Sequence, residues 1–166
     1  MDGGWLRPLL FVCVLLALLA LESRAPRRAW TQPRWPRVAR HLALVGLDAV
    51  LLRLTLPLLA TGAAALAEAR GWGLLRALAV PAPLAGMLSL LLLDLAIWAQ
   101  HVAMHRVPLL WRLHRVHHTD TDFDTSTALR FHPLEILLSM LWKIVLVLAL
   151  GVFLPLWNLG QAAMGR

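Results

Sequence analysis

Thiols are nearly absent from this chain. Its 166 residues include one cysteine, Cys13, and that lies inside an apolar run. A disulfide framework is therefore excluded, and so is a thiolate metal site. Charge is scarce too: 15% of residues are charged and 60% are hydrophobic, with a mean hydropathy of +0.69. Soluble domains carry only about 45–50% apolar residues, so the chain reads as an integral membrane protein. Lysine occurs once against 15 arginines. The net charge of +7 taken alone would suit nucleic acid. The arginines interleave with apolar spans, however, and membrane topology accounts for them better, so no nucleic-acid partner is expected. H-E-x-x-H is also missing, which removes the zinc-peptidase class.

Four apolar stretches stand out: Pro8–Leu21, Leu42–Ala60, Ala77–Ala99 and Leu134–Trp157. The last three reach the roughly 20 residues a bilayer requires. The first has the length of a signal-peptide core. Only one base, Arg7, precedes it beside Asp2, and no small-x-small cleavage site follows, so it reads as a retained helix. Neither strand alternation nor an internal repeat is visible. The expected fold class is all-α, an integral membrane protein with about four transmembrane helices. Residues 1–76 would hold N-terminal membrane helices and residues 77–166 a histidine-bearing domain.

Between the first two stretches, residues 22–40 carry Arg24, Arg27, Arg28, Arg34, Arg37 and Arg40, with three prolines and the interfacial pair Trp30 and Trp35. That composition predicts an irregular surface loop. Residues 61–76 hold only Arg70 and Arg76, whereas the segment 101–133 holds Arg106, Arg112, Arg115 and Arg130. The positive-inside rule puts 22–40 and the histidine segment together in the cytoplasm. Arginine-, alanine- and leucine-rich usage hints at a GC-rich genome. The expected location is a bacterial inner membrane, or the endoplasmic reticulum membrane in a eukaryote.

Six of the seven histidines fall between His101 and His132. His101 and His105 are an i, i+4 pair; His114, His117 and His118 are an i, i+3, i+4 triplet. Residues so spaced share a helix face, with Cβ atoms about 5–6 Å apart, and imidazole is the commonest metal-binding side chain. Two tight local groups do not suit a bis-histidine haem. Imidazole-rich sites suit iron, copper and zinc, and iron activating dioxygen fits a site at the bilayer surface. A metal transporter would want ionisable residues along a path through several spans, and here they gather at one face.

Several neighbours could support the ligands. Asp94, Trp98, His101 and His105 follow at steps of 4, 3 and 4, one stripe of a helix. Asp94 inside a span marks function by default, either as an acceptor behind a metal-bound imidazole or as a packing partner of Arg53. Pro108 should break the helix between the two histidine groups. In T-D-T-D-F-D, Asp120, Asp122 and Asp124 read as a solvated interfacial loop, or else as a contact for the ligands or an electron donor. T-A-L-R-F-H-P-L-E then brings Arg130, His132 and Glu135. His132 is open between metal ligand and helix-start residue, and Pro133 suits the first turn of the last helix.

The run from Asp94 to Glu135 resembles the fatty acid hydroxylase/sterol desaturase superfamily: D-x6-H-x3-H, L-W-R-L-H-R-V-H-H and T-A-L-R-F-H-P-L-E occur in order. The likeness covers roughly residues 85–157. It implies a non-haem di-iron centre that takes O2 and electrons from an external donor, a reductase or small electron carrier, to hydroxylate or desaturate a membrane lipid. On that reading His101, His105, His114, His117 and His118 are ligands, with His132 as a sixth candidate. Asp94, Trp98, Arg130 and Glu135 are their supports. Family members carry a further H-x2-H-H box after another membrane passage, and none follows His132 here. The expectation is a C-terminally incomplete site of one or two irons that turns over poorly alone. An inactive remnant or partner subunit is the alternative.

Overall fold

The computed structural model describes residues 5–151, and every regular element among them is helical. In chain order these are α1 (Leu6–Arg24), α2 (Arg34–Thr55), α3 (Ala60–Arg70), the single turn α4 (Leu74–Ala77), α5 (Ala82–Arg106), α6 (Pro108–His118) and α7 (Pro133–Leu150). A 3-10 turn, Thr125–Leu129, lies between α6 and α7. Three stretches are long and apolar enough to cross a bilayer: one within 34–77, Ala82–Arg106 and Pro133–Leu150. α1 adds a further apolar helix of 19 residues. The all-α membrane architecture read from composition is thus present. The part of the last apolar stretch beyond Gly151, with Trp157 and the chain end, lies outside the described residues.

Apolar side chains coat the outside. Leu90, Leu91, Leu95 and Trp98 on α5 are all more than half exposed, an arrangement that lipid tolerates and water does not. With lipid as solvent, helices gain little from burying leucine and associate instead by close approach of small residues. Accordingly the core is built from Ala63, Ala64 and Ala67 of α3, which face α7 near Val147. The segment 61–76 is therefore no mere connection: it folds as α3 and α4 and supplies the tightest packing. At the end of α7, Gly151 takes a left-handed cap with φ 66°, and Gly73 has φ 115°. Their backbones touch so closely that a Cβ on either would overlap the other.

The structure corrects the reading of residues 22–40 as irregular throughout. Pro33 is the N-cap of α2, and Pro36 falls in its first turn, where no intrahelical N–H is required. Arg34, Arg37 and Arg40 therefore ride on a helix. α2 stops at Thr55, just ahead of Pro57, as the restriction before proline dictates. Pro108 acts as expected: Val107 is extended (φ −90°, ψ 117°) and Pro108 opens α6. α6 then packs beside α5, which brings the two histidine groups together.

Candidate metal centre

α5 carries His101 and His105 in its last two turns, and α6 carries His114, His117 and His118. The ring centroids of His101, His105 and His114 stand 4.8 Å from one another, an equilateral triangle. His118 lies 4.9 Å from both His105 and His114, which makes a second triangle on a shared edge. His117 flanks this group, 5.1 Å from His118 and 5.7 Å from His114. The nearest ring nitrogens of His101, His105 and His114 all lie within 4.8 Å of each other. His114 is buried, while His101 and His105 stay exposed on one side.

The donor set fits a metal ion. Nε2 of His114 and Nε2 of His118 face each other at 3.2 Å. Two imidazole nitrogens each about 2.0–2.1 Å from one ion would be separated by roughly 3.0–3.4 Å across the angles metals prefer. Two lone pairs at that distance repel unless a proton or a cation sits between them. Desolvation, followed by the nearby His114, His117 and His105 rings, holds His118 below its ordinary value of 6.5, which favours the neutral imidazole a metal requires.

Supports stand behind the rings. Nδ1 of the buried His114 is 2.6 Å from Oε1 of Glu135 in the first turn of α7. A proton on Nδ1 shared with that carboxylate leaves Nε2 directed at the cluster. His117 Nδ1 reaches the carbonyl oxygen of Arg130 at 3.2 Å, so Arg130 contributes its backbone here. Phe131 stacks on His117 with ring centroids 4.8 Å apart and planes 5° from parallel. Trp111 packs against His105 and His118 at 5.3 and 5.6 Å. The aromatic wall of Trp111 and Phe131 was not foreseen, although Trp111 precedes His114 by one helical step of three and so could have been.

Other candidates stand apart. Asp94 and Trp98 are on the exposed surface of α5, and Asp94 hydrogen-bonds neither to His101 nor to Arg53. The carboxylate that meets a clustered histidine is Glu135. His132 caps α7, its Nδ1 accepting from the Leu134 N–H at 3.1 Å, and it touches none of the five rings. A further carboxylate, Asp48 of α2, is buried within electrostatic range of His132 and Glu135, and its Oδ1 has no hydrogen-bond partner. It sits in an apolar stretch whose pattern drew no attention to it. His41, the histidine outside the sequence cluster, is held by Ser126 Oγ (2.9 Å) and Asp120 Oδ2 (3.1 Å).

The aspartate run is not a solvated loop. Asp122 and Asp124 are buried, and together with Asp120 they clasp the N-terminal segment. Arg37 on α2 donates to Asp120 Oδ2 (2.7 Å), to the Asp122 carbonyl (2.8 Å) and to Asp124. Asp122 accepts the Thr31 and Gln32 N–H groups at 2.9–3.1 Å. These Thr31 hydrogen bonds hold its carboxyl below the usual range. Burial alone would raise the Asp124 carboxyl, but Ser126 and the Arg37 charge more than offset it. Glu22 at the end of α1 accepts from Thr125, and Arg34 pairs with Glu22 and Asp124. The two arginine-rich segments are thus in contact, on one face. A cavity of about 750 Å3 lies between them and has His117 and Trp30 in its wall.

Helices of spanning length, with a histidine cluster at the end of one of them, define a membrane protein with a surface-level candidate metal centre. The Fatty acid hydroxylase family model matches residues 86–164, which include both histidine groups, in agreement with the superfamily resemblance of the motifs. Residues 86–164 are thus similar to that family. No curated protein and no solved structure matches the chain.

Proposed function

We propose that the protein is a membrane lipid oxygenase, a hydroxylase or desaturase, with non-haem iron held by His101, His105, His114, His117 and His118. The observation that carries this reading is the convergence of five imidazoles from α5 and α6 inside the segment matched to the Fatty acid hydroxylase family. Two triangles of rings sharing an edge would suit two ions, the di-iron count the resemblance implies. His132 has Nε2 left over after capping α7 and is the reserve sixth ligand. Iron so bound would supply activation of O2 toward an unactivated lipid C–H bond.

The chain's own residues do the rest. Glu135 and the Arg130 carbonyl hold protons on the outer nitrogens of His114 and His117 and fix the ring planes. Trp111 and Phe131 cover the cluster and exclude water from that side. The open sides of His101 and His105 adjoin the lipid-facing surface of α5, where an acyl or isoprenoid chain can approach from the bilayer. The arginine-rich segments support a cytoplasmic location for this face, in a bacterial inner membrane or an endoplasmic reticulum, where a reductase or small electron carrier would deliver electrons.

The test is oxygen-dependent oxidation of membrane lipids by the iron-loaded chain with a chemical reductant, followed by mass spectrometry. Products 16 mass units heavier (hydroxylation) or 2 lighter (desaturation), absent in His105→Ala, are expected. Turnover is expected to be slow; an iron-loaded chain that leaves every lipid unchanged would reject the oxygenase reading of this chain in favour of an inactive remnant or partner subunit.

A further inference from the structure

A second cavity, of about 490 Å3, opens between α2 and the loop that follows the histidines. Its lining changes character along α2. Arg37 and Arg40 stand at the end near the loops, and Leu44 and Leu47 continue toward the apolar middle of the helix. These four positions follow at steps of 3, 4 and 3 and so form one stripe. Arg130 faces them from the loop. The cavity is basic at one end and apolar at the other.

Its bases are not all neutralised. One acid, Asp120, lines the cavity beside the three arginines. Asp120 is 2.7 Å from Arg37 and 3.9 Å from Arg130. Arg40 is exposed and bonds only the Gln32 amide oxygen, at 3.2 Å. Arg37, 1% exposed, has a buried Nε–H with no acceptor. A buried donor without a partner is costly, which leaves the Arg37 charge incompletely satisfied beside the cavity. Basic pockets beside spanning helices bind phosphate-bearing lipid headgroups.

We infer that this cavity binds the phosphate of an anionic membrane lipid at Arg40 and Arg130, with an acyl chain along Leu44 and Leu47. Such a lipid would seat against the same loop that carries Arg130, whose carbonyl holds His117, and would brace it from the membrane side. The inference does not depend on the oxygenase reading, since binding is measured without turnover.

Native mass spectrometry of the detergent-purified full chain tests it, with phosphatidylglycerol and phosphatidylcholine of identical acyl chains. Phosphatidylglycerol should be retained preferentially, and Arg40→Gln and Arg130→Gln should each weaken it about fivefold, the worth of one arginine near a lipid phosphate. Arg76→Gln, an exposed arginine outside the cavity, should change nothing. Leu47→Asn should weaken the lipid while leaving any binding of inorganic phosphate alone. Arg40 and Leu47 are exposed, so both variants should fold, which retained helicity by circular dichroism would verify. Equal retention of the two lipids, or unchanged retention in Arg40→Gln, would overturn the inference. Inorganic phosphate binding as tightly as the lipid would show a free-anion site and overturn it as well.

Discussion

Nδ1 of His114 and Oε1 of Glu135 lie 2.6 Å apart with both side chains at most 5% exposed. They come from different helices, so the contact both aims an imidazole and fastens the start of α7 to α6. The other carboxylate oxygen, Oε2, has no hydrogen-bond partner among the described residues, so the contact with His114 is what orients the Glu135 carboxyl group.

Glu135→Ala should therefore strand a buried Nδ1–H and free the ring to turn. Loss of such a supporting carboxylate typically costs about 10–100-fold in metal affinity. Glu135→Gln, which still offers an oxygen, should lose less. Competition against a chelator of known affinity reads both, and unchanged affinity in Glu135→Ala would remove Glu135 from the site.

Arg37 is the keystone of the clasp between α2 and the aspartate run. Arg37→Ala would leave Asp120 and Asp124 buried without their shared cation, a loss on the order of 3–5 kcal/mol. Arg37→Lys should recover only part, because an ammonium lacks the spread, planar donors by which Arg37 reaches Asp120 through Nη1 and Asp124 through Nη2. Thermal unfolding in detergent should rank wild type above Lys above Ala; equal midpoints would contradict the clasp.

The same clasp has an acid limit. Asp122 and Asp124 both have carboxyls held below the ordinary 3.8, so the folded form binds their protons less readily than the unfolded form. Their stabilisation is fully present above that ordinary value and is lost as the pH falls through the depressed folded values. Protection against hydrogen exchange, taken relative to the intrinsic rate at each pH, should fall at residues 30–32 and 119–127 as pH falls below about 4, ahead of protection in α5. A uniform loss of protection along the chain would count against a local clasp.

Contact between the two arginine-rich segments fixes them to one side. In a Cys13→Ser background, Arg28→Cys and Phe123→Cys, both at exposed positions, should react with an impermeant maleimide together, and only after the membrane is opened. Arg76→Cys, across α5, should show the opposite pattern. Labelling of Phe123→Cys in intact cells would place the histidines outside.

Legibility from sequence followed the range of the interactions. Helical spacing alone gathered His101 with His105 and His114 with His117 and His118, and Pro108 announced the break that turns α6 back on α5. Apolar length foretold the spanning helices. Partners distant in sequence were hidden. The Asp122–Thr31 contact joins residues 91 positions apart, so the aspartates looked solvated. Prolines at 33 and 36 masked a helix start that only their positions in the first turn permit. Asp94 drew attention by sitting in a span, whereas Glu135, two residues after Pro133, was named through the family resemblance and is the carboxylate that α7 delivers to His114. Asp48 stayed unnoticed because nothing local marks which face of α2 is buried.

The central claim is that five imidazoles on α5 and α6 hold iron, and metal content of the detergent-purified chain tests it most directly. Elemental analysis should find iron bound stoichiometrically, lost in His114→Ala and in the His117→Ala/His118→Ala double variant, and retained in His41→Gln. Zinc alone, or no metal above background, in a chain of native helicity would contradict the account.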